Sequence, residues 1–277
     1  MSDRTIWQGY GLVISDSGYT ASSLFHVNGK RVFGADSDFT TLAFALLDYL
    51  SQNGIEFEMI KMDENFDAEL ISKCFELEQI NEEGECSVIM KSHDSSISLA
   101  ITGGDFSEDD FYQPDLEIDE EFHASINQAW KLETSLQHVS QGAYVSSQQH
   151  TEASTARLRL LAQVGNNGLT WPPRELQDDG SRPSETVNLK NNVKVLSWTK
   201  LSAGGAPSEF SIRSPVLGGI TTIFAEFEEG PRGVFLLSDE SGNPEIMIGM
   251  EFNLAVRRLY AQEGIMRYSL KAIGSNK

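Results

Sequence analysis

Cysteine is nearly absent from this chain: 277 residues hold two, Cys74 and Cys86. Two thiols in no ligand-like spacing exclude a disulfide framework and a cysteine-built zinc site, and point to a reducing cytoplasm. Long apolar runs are missing as well. No stretch approaches the ~18 residues that a membrane helix needs, and the opening Met1-Ser-Asp-Arg-Thr5 lacks a secretory pattern, so no membrane span is expected. Positive charge is in short supply, with 21 Lys and Arg against 41 Asp and Glu, a formal net charge of −20. From Lys61 to Ser125 alone, 19 acids face 3 lysines, which concentrates the charge in one segment. Such a chain repels a phosphate backbone at long range, so no nucleic-acid partner is expected. No Gly-x-Ser-x-Gly elbow, phosphate loop or dinucleotide fingerprint is present. The apolar share is an ordinary 40%, enough for a globular protein with real cores.

The most orderly part of what remains is the last third, from Val187 to Ile273. Val193–Thr199, Ile220–Phe227, Gly233–Ser238, Ile248–Met250 and Phe252–Arg257 are short runs rich in β-branched and aromatic residues, bounded by Gly, Pro, Asn or Asp. Runs of this kind read as antiparallel strands, and their even spacing predicts a small closed five-stranded barrel of the OB type over 187–277.

Upstream, Thr5–Ile14 reads as a strand in which Gly9 and Gly11 allow close backbone approach. Apolar residues at 42, 43, 46, 47 and 50 share one helix face, with Ser37 or Asp38 as its cap and Gly54 as its stop. Glu56–Ile60 reads as the next strand, and 63–85 as an acidic amphipathic helix with Cys74 on its apolar side. Cys86–Met90 and Ser96–Ile101 read as paired strands turned at Ser92–Ser95. The acid run Asp105–Glu121 lacks the Gly and the alternating ligands of a calcium loop, and reads as a solvated loop. Phe122–Leu136 reads as a short helix, and the Ser-, Gln- and His-rich stretch that follows as a linker. The division is therefore 1–136, a linker at 137–156, a small unit at 157–186, and the barrel. The fold class is α+β.

Residues 157–182 read as a helix end, a turn at Gly165–Gly168, an extended corner at Trp171-Pro-Pro-Arg174, and another turn. This segment and the barrel resemble the zinc-ribbon-plus-OB domain that accompanies thiolases and hydroxymethylglutaryl-CoA synthases. Trp171, Pro172, Pro173 and Arg174 match its aromatic-Pro-Pro-Arg motif. Glu228–Arg232, Ile248–Met250 and Arg257–Gly264 are similar to its barrel. The family's two Cys-x-x-Cys pairs fall here on Gln163 and Asn166, then on Gln177 and Asp179 or Gly180. Amide oxygens are poor zinc ligands, so a degenerate ribbon without zinc is implied, held by packing around Leu160, Leu169 and Trp171. The N-terminal part carries a fainter likeness to the synthases, in Gly9–Ile14, Gly29–Ala43 and Ala124–Trp130. It is too short for a complete thiolase-type domain, so a truncated remnant is implied.

The resemblance implies a non-catalytic accessory or scaffold subunit of a thiolase-superfamily complex that acts on acyl thioesters. It implies a partner enzyme subunit, an acyl carrier protein or acyl-CoA, and a coenzyme A or phosphopantetheine thioester at the interface, with no cofactor held by this chain. Trp171, Arg174, Arg232, Arg257 and Arg258 are the candidates for coenzyme A or partner contact, while each arginine by itself reads first as half of a surface ion pair with the many carboxylates. Cys86 is the one catalytic candidate. It follows Glu85, but its strand-like neighbours lack the Gly-rich turn that presents a thiolate, so it reads as structural. Two other readings stay open: a stand-alone acyl-CoA-binding module, and a divergent condensing enzyme or acyltransferase using Cys86.

Overall fold

The computed structural model describes residues 3–78, 88–101, 116–135, 153–165, 168–173, 185–241 and 244–274. The chain is mixed α+β and divides into two compact units, Met1–His123 and Ala124–Lys277.

In the first unit, β1 (Asp3–Trp7), β2 (Tyr10–Ser15) and β3 (Gly18–Ser23) form consecutive antiparallel hairpins. The single strand expected over Thr5–Ile14 is thus two. Gln8 and Gly9 both take positive φ, at 50° and 83°, and fold the run into a tight turn. Short strands β4 (Phe25–Val27) and β5 (Lys30–Val32) follow. Then comes α1 (Phe39–Gln52), which buries Leu42, Ala43, Leu46, Leu47 and Leu50 as its apolar spacing predicts. Its cap is reciprocal. Asp38 accepts from the Thr41 amide at 2.9 Å, and Thr41 Oγ1 accepts from the Asp38 amide at 2.9 Å. Asp38→Ala is expected to cost about 1 kcal/mol, read as a lower denaturant midpoint with an unchanged slope.

The strand expected at Glu56–Ile60 reduces to one bridge, Met59 to Glu78, ahead of β6 (Lys61–Met62). Of the helix expected over 63–85, the described residues hold α2 (Ala68–Phe75), begun by an Asp67 cap and stopped where Glu76 turns left-handed at φ 56°, and 79–85 lie outside the described residues. Cys74 is buried on it. β7 (Val88–His93) and β8 (Ser96–Ile101) pair through a turn at Asp94–Ser95, much as the sequence indicates. Together these strands make a six-stranded sheet in the order β1-β2-β3-β8-β7-β6. A small sheet β5-β4-β9 uses β9 (Leu116–Glu117), the described tail of the acid run.

The second unit begins within α3 (Glu120–Glu133). After α4 (Ser154–Leu158) come β10 (Leu161–Gly165), β11 (Gly168–Thr170) and β12 (Thr186–Asn188), a three-stranded sheet with β10 in the middle. Five strands then close into a barrel: β13 (Asn192–Leu201), β14 (Ile220–Phe227), β15 (Arg232–Leu237), β16 (Glu251–Gln262) and β17 (Ile265–Gly274). Their order is β13-β14-β15-β17-β16, with a parallel β15–β17 pairing and β16 returning to β13. Val193, Val195, Ile223, Ala225, Phe227, Phe235, Phe252 and Leu254 fill the interior. Ile248–Met250, expected to join a strand, is a turn instead: Gly249 sits at φ 88° and donates to the Val195 carbonyl.

Candidate functional site

Two features of the second unit gather the chemistry that the sequence singles out. The first is the seat of Trp171. Its ring stacks on Phe235 (centroids 5.6 Å, 29°) and meets Phe227 edge-on at 5.5 Å, while its indole N–H donates to the Ala156 carbonyl at 3.2 Å. Gly233 makes room for it. A Cβ there would stand 2.6 Å from the Phe235 ring and 3.0 Å from the Trp171 ring. Trp171 therefore joins the β10–β12 sheet to the barrel as core, with 5% of its surface exposed.

The second is a cluster of buried charge on the barrel's outer wall. Arg257 and Lys271 alternate with inward-facing Leu254, Val256 and Ala272, so they point outward, yet both are fully buried. Their cover comes from three other pieces of chain. Arg213, also fully buried, donates from Nε to Glu133 Oε1 of α3 at 2.8 Å and from Nη1 to Asp239 Oδ2 at 2.6 Å. Its Nη2 donates at 2.6 Å to the carbonyl of Leu259. Leu259 is the extra residue of a β-bulge between Arg258 and Tyr260, so the ladder leaves its carbonyl without a strand partner and Arg213 supplies one. Lys271 Nζ reaches Asp239 Oδ1 at 3.0 Å, and Arg257 Nη2 lies 3.4 Å from Glu240 Oε2. Trp130 of α3 lies between two guanidinium groups, Arg213 at 3.8 Å and Arg258 at 4.3 Å from its ring centroid. Beside this cluster, Phe210, Ile220, Leu259 and Tyr260 pack with Ala206, Leu217 and Leu236, so residues 203–217 form the apolar part of the cover.

Burial raises the Glu133 carboxyl above its ordinary value, against the pull of Arg213 beside it. Burial likewise raises the Tyr260 hydroxyl, helped by the nearby Glu209 carboxylate. In the first unit the balance tips the other way at Asp63. Burial pushes its carboxyl up, but hydrogen bonds from the Ser92 and Asn65 amides and side chains outweigh that and leave it below the usual range. Asp63 therefore contributes stability that is present above its unfolded-state value and is lost as pH falls through the depressed folded value. Asp63→Asn is expected to flatten that acid limb in a pH series of unfolding midpoints.

The candidate residues thus part company. Trp171 and Arg257 are spent inside the fold. Arg258 is half-buried against Trp130, and Arg232 is exposed and paired with Glu226 at 2.8 Å. Gln163 is buried in β10 between Thr170 and Thr186. Arg174, Asn166, Gln177, Asp179 and Cys86 lie outside the described residues. Among the described residues, no group of His, Cys, Asp and Glu is arranged to hold a metal ion. None of the described helices is long and apolar enough to cross a membrane. Sequence reasoning missed the whole Glu133–Arg213–Asp239–Lys271 cluster. Its local trace is Arg257 and Lys271 flanked by buried apolar residues of β16 and β17.

No protein-family model matches the chain, and no curated protein matches it.

Proposed function

We propose that this chain is a non-catalytic accessory subunit of a thiolase-superfamily complex that works on acyl thioesters. The observation that carries the reading is the barrel itself. Its strand order runs first-second-third-fifth-fourth, with a parallel pairing between third and fifth. That Greek-key closure is compatible with an OB-type barrel and agrees with the motif resemblance at Glu228–Arg232 and Arg257–Gly264. The β10–β12 sheet, with Gln163 at a lost ligand position and Trp171 in the barrel core, supports a ribbon held by packing instead of zinc. The first unit stands in the same reading as a truncated synthase-like remnant that serves for docking. Exposed Phe224 and Val234, directly opposite one another beside Arg232, are the kind of apolar surface a partner subunit covers. The acyl-CoA or carrier-protein arm would run along that interface.

The test is to purify the tagged chain from its host and assay acyl-thioester turnover with and without what accompanies it. A stable complex with a thiolase-superfamily enzyme, active only when that enzyme is present, is the expected result. A lone monomer, turnover by this polypeptide alone, or one tightly held zinc per chain would overturn the reading.

A further inference from the structure

The barrel is closed by a short seam. Among the described residues β17 meets β15 at Leu236 and Leu237 alone, so Arg232–Phe235 have β14 on one side and no ladder on the other. The preceding hairpin decides which backbone groups are left over. The Phe227 amide donates to the Pro231 carbonyl at 2.9 Å, which makes that pair a hydrogen-bonded one. Such pairs alternate along an antiparallel ladder. Gly233 and Phe235 therefore bond to β14, while Arg232 and Val234 turn their amides and carbonyls to the open edge. Both of these residues are more than half exposed. The inner side is already full, since Gly233 lies against the rings of Phe235 and Trp171.

Two rows of side chains on the outer face end at this edge. Glu251, Lys194, Glu226 and Arg232 stand side by side on β16, β13, β14 and β15, alternating in sign, and Arg232 donates to Glu226 at 2.8 Å. In the neighbouring row stand Ser197, Phe224 and Val234, the last two apolar and exposed. A further strand would continue the first row with a carboxylate and the second with an apolar side chain.

We propose that the Arg232–Val234 edge of β15 accepts one extended segment of a protein partner, which adds a strand to the barrel. The segment carries an apolar residue opposite Val234 and, two positions away, a carboxylate opposite Arg232. Main-chain hydrogen bonds attach it and the two side chains select it. A cation in place of the carboxylate would face Arg232 directly. This rests on the reading of Phe224 and Val234 as surface that a partner covers. The experiment contains no thiolase-superfamily enzyme, so loss of that partner's identity leaves the strand edge to be judged alone.

The full chain is used to select binders from a displayed library of random octapeptides, and the selected peptides are then measured in solution. They should share a carboxylate and an apolar residue two positions apart. In hydrogen exchange followed by NMR they should slow the Arg232 and Val234 amides by at least about tenfold. Val234→Pro removes one outward amide and leaves the β14 ladder intact, and should weaken binding at least about tenfold. Arg232→Glu should weaken it at least about fivefold, and exchanging the peptide's carboxylate for lysine should restore binding to that variant. The proposal fails if no peptide is selected, if the selected peptides lack the carboxylate, or if they leave the two amides unprotected. It also fails if they bind a folded Val234→Pro chain equally well. Should Val234→Pro not fold, amide protection and the Arg232→Glu exchange decide.

Discussion

Replacing Arg213 with leucine is expected to destabilise the second unit by about 3–5 kcal/mol, because it takes the guanidinium from two buried carboxylates, Glu133 and Asp239, and from the Leu259 carbonyl. Arg213 serves Glu133, Asp239 and the bulge carbonyl of Leu259 at once. Denaturant unfolding followed by circular dichroism would read the loss. Arg213→Lys should recover only part of it, since an ammonium cannot hold three acceptors in a planar fan. Glu133 behaves differently at the other end of the same bond. Its folded-state value is raised, so the stability it contributes is present below its unfolded value and is lost as pH rises through the folded one. Burial of the Glu133 carboxyl opposes what its bond to Arg213 contributes, so Glu133→Gln should cost clearly less than Arg213→Leu. Equal losses from the two substitutions would refute this account of the cluster.

Trp171→Ala should be comparably damaging, about 3–5 kcal/mol, from the volume removed and the lost ring contacts. The ring is the seam between the β10–β12 sheet and the barrel, so its removal opens a void lined by Phe227, Phe235 and the bare backbone of Gly233. For a unit of this size the fall in thermal midpoint is on the order of 10 °C. Trp171→Phe should keep most of the stack and lose chiefly the hydrogen bond to Ala156, a decrement of about 1 kcal/mol. A thermal midpoint unmoved by Trp171→Ala would mean that the sheet does not depend on this contact. If alanine instead costs what phenylalanine costs, the ring stack contributes nothing and the seam is elsewhere.

The barrel and α1 are legible in the sequence for a shared reason: their determinants are local. Val193, Val195, Ile223 and Phe227 alternate as strands should, and Leu42, Leu46 and Leu50 repeat as a helix should, with Asp38 capping the start. The misreadings also have local physical causes. Gln8–Gly9 and Gly249 supply positive φ inside apolar runs, so a strand becomes a hairpin in one case and a turn in the other. Glu76 closes α2 with a left-handed residue that is not glycine, a stop that composition does not advertise. The charge cluster was illegible because its members stand at 133, 213, 239, 257 and 271, and only the folded topology brings them to one wall. An arginine in a strand reads as outward and wet. Arg257 is outward and dry, since other pieces of the same chain roof it over.

The β15–β17 pairing carries one implication for how this domain comes off the ribosome. Of the five staves, the one that makes the ring continuous is the last to be synthesised, so four of them emerge with an unmatched rim on either side of the gap it will fill. During that interval the nascent polypeptide exposes two sticky margins, open to capture by a neighbouring chain or a chaperone.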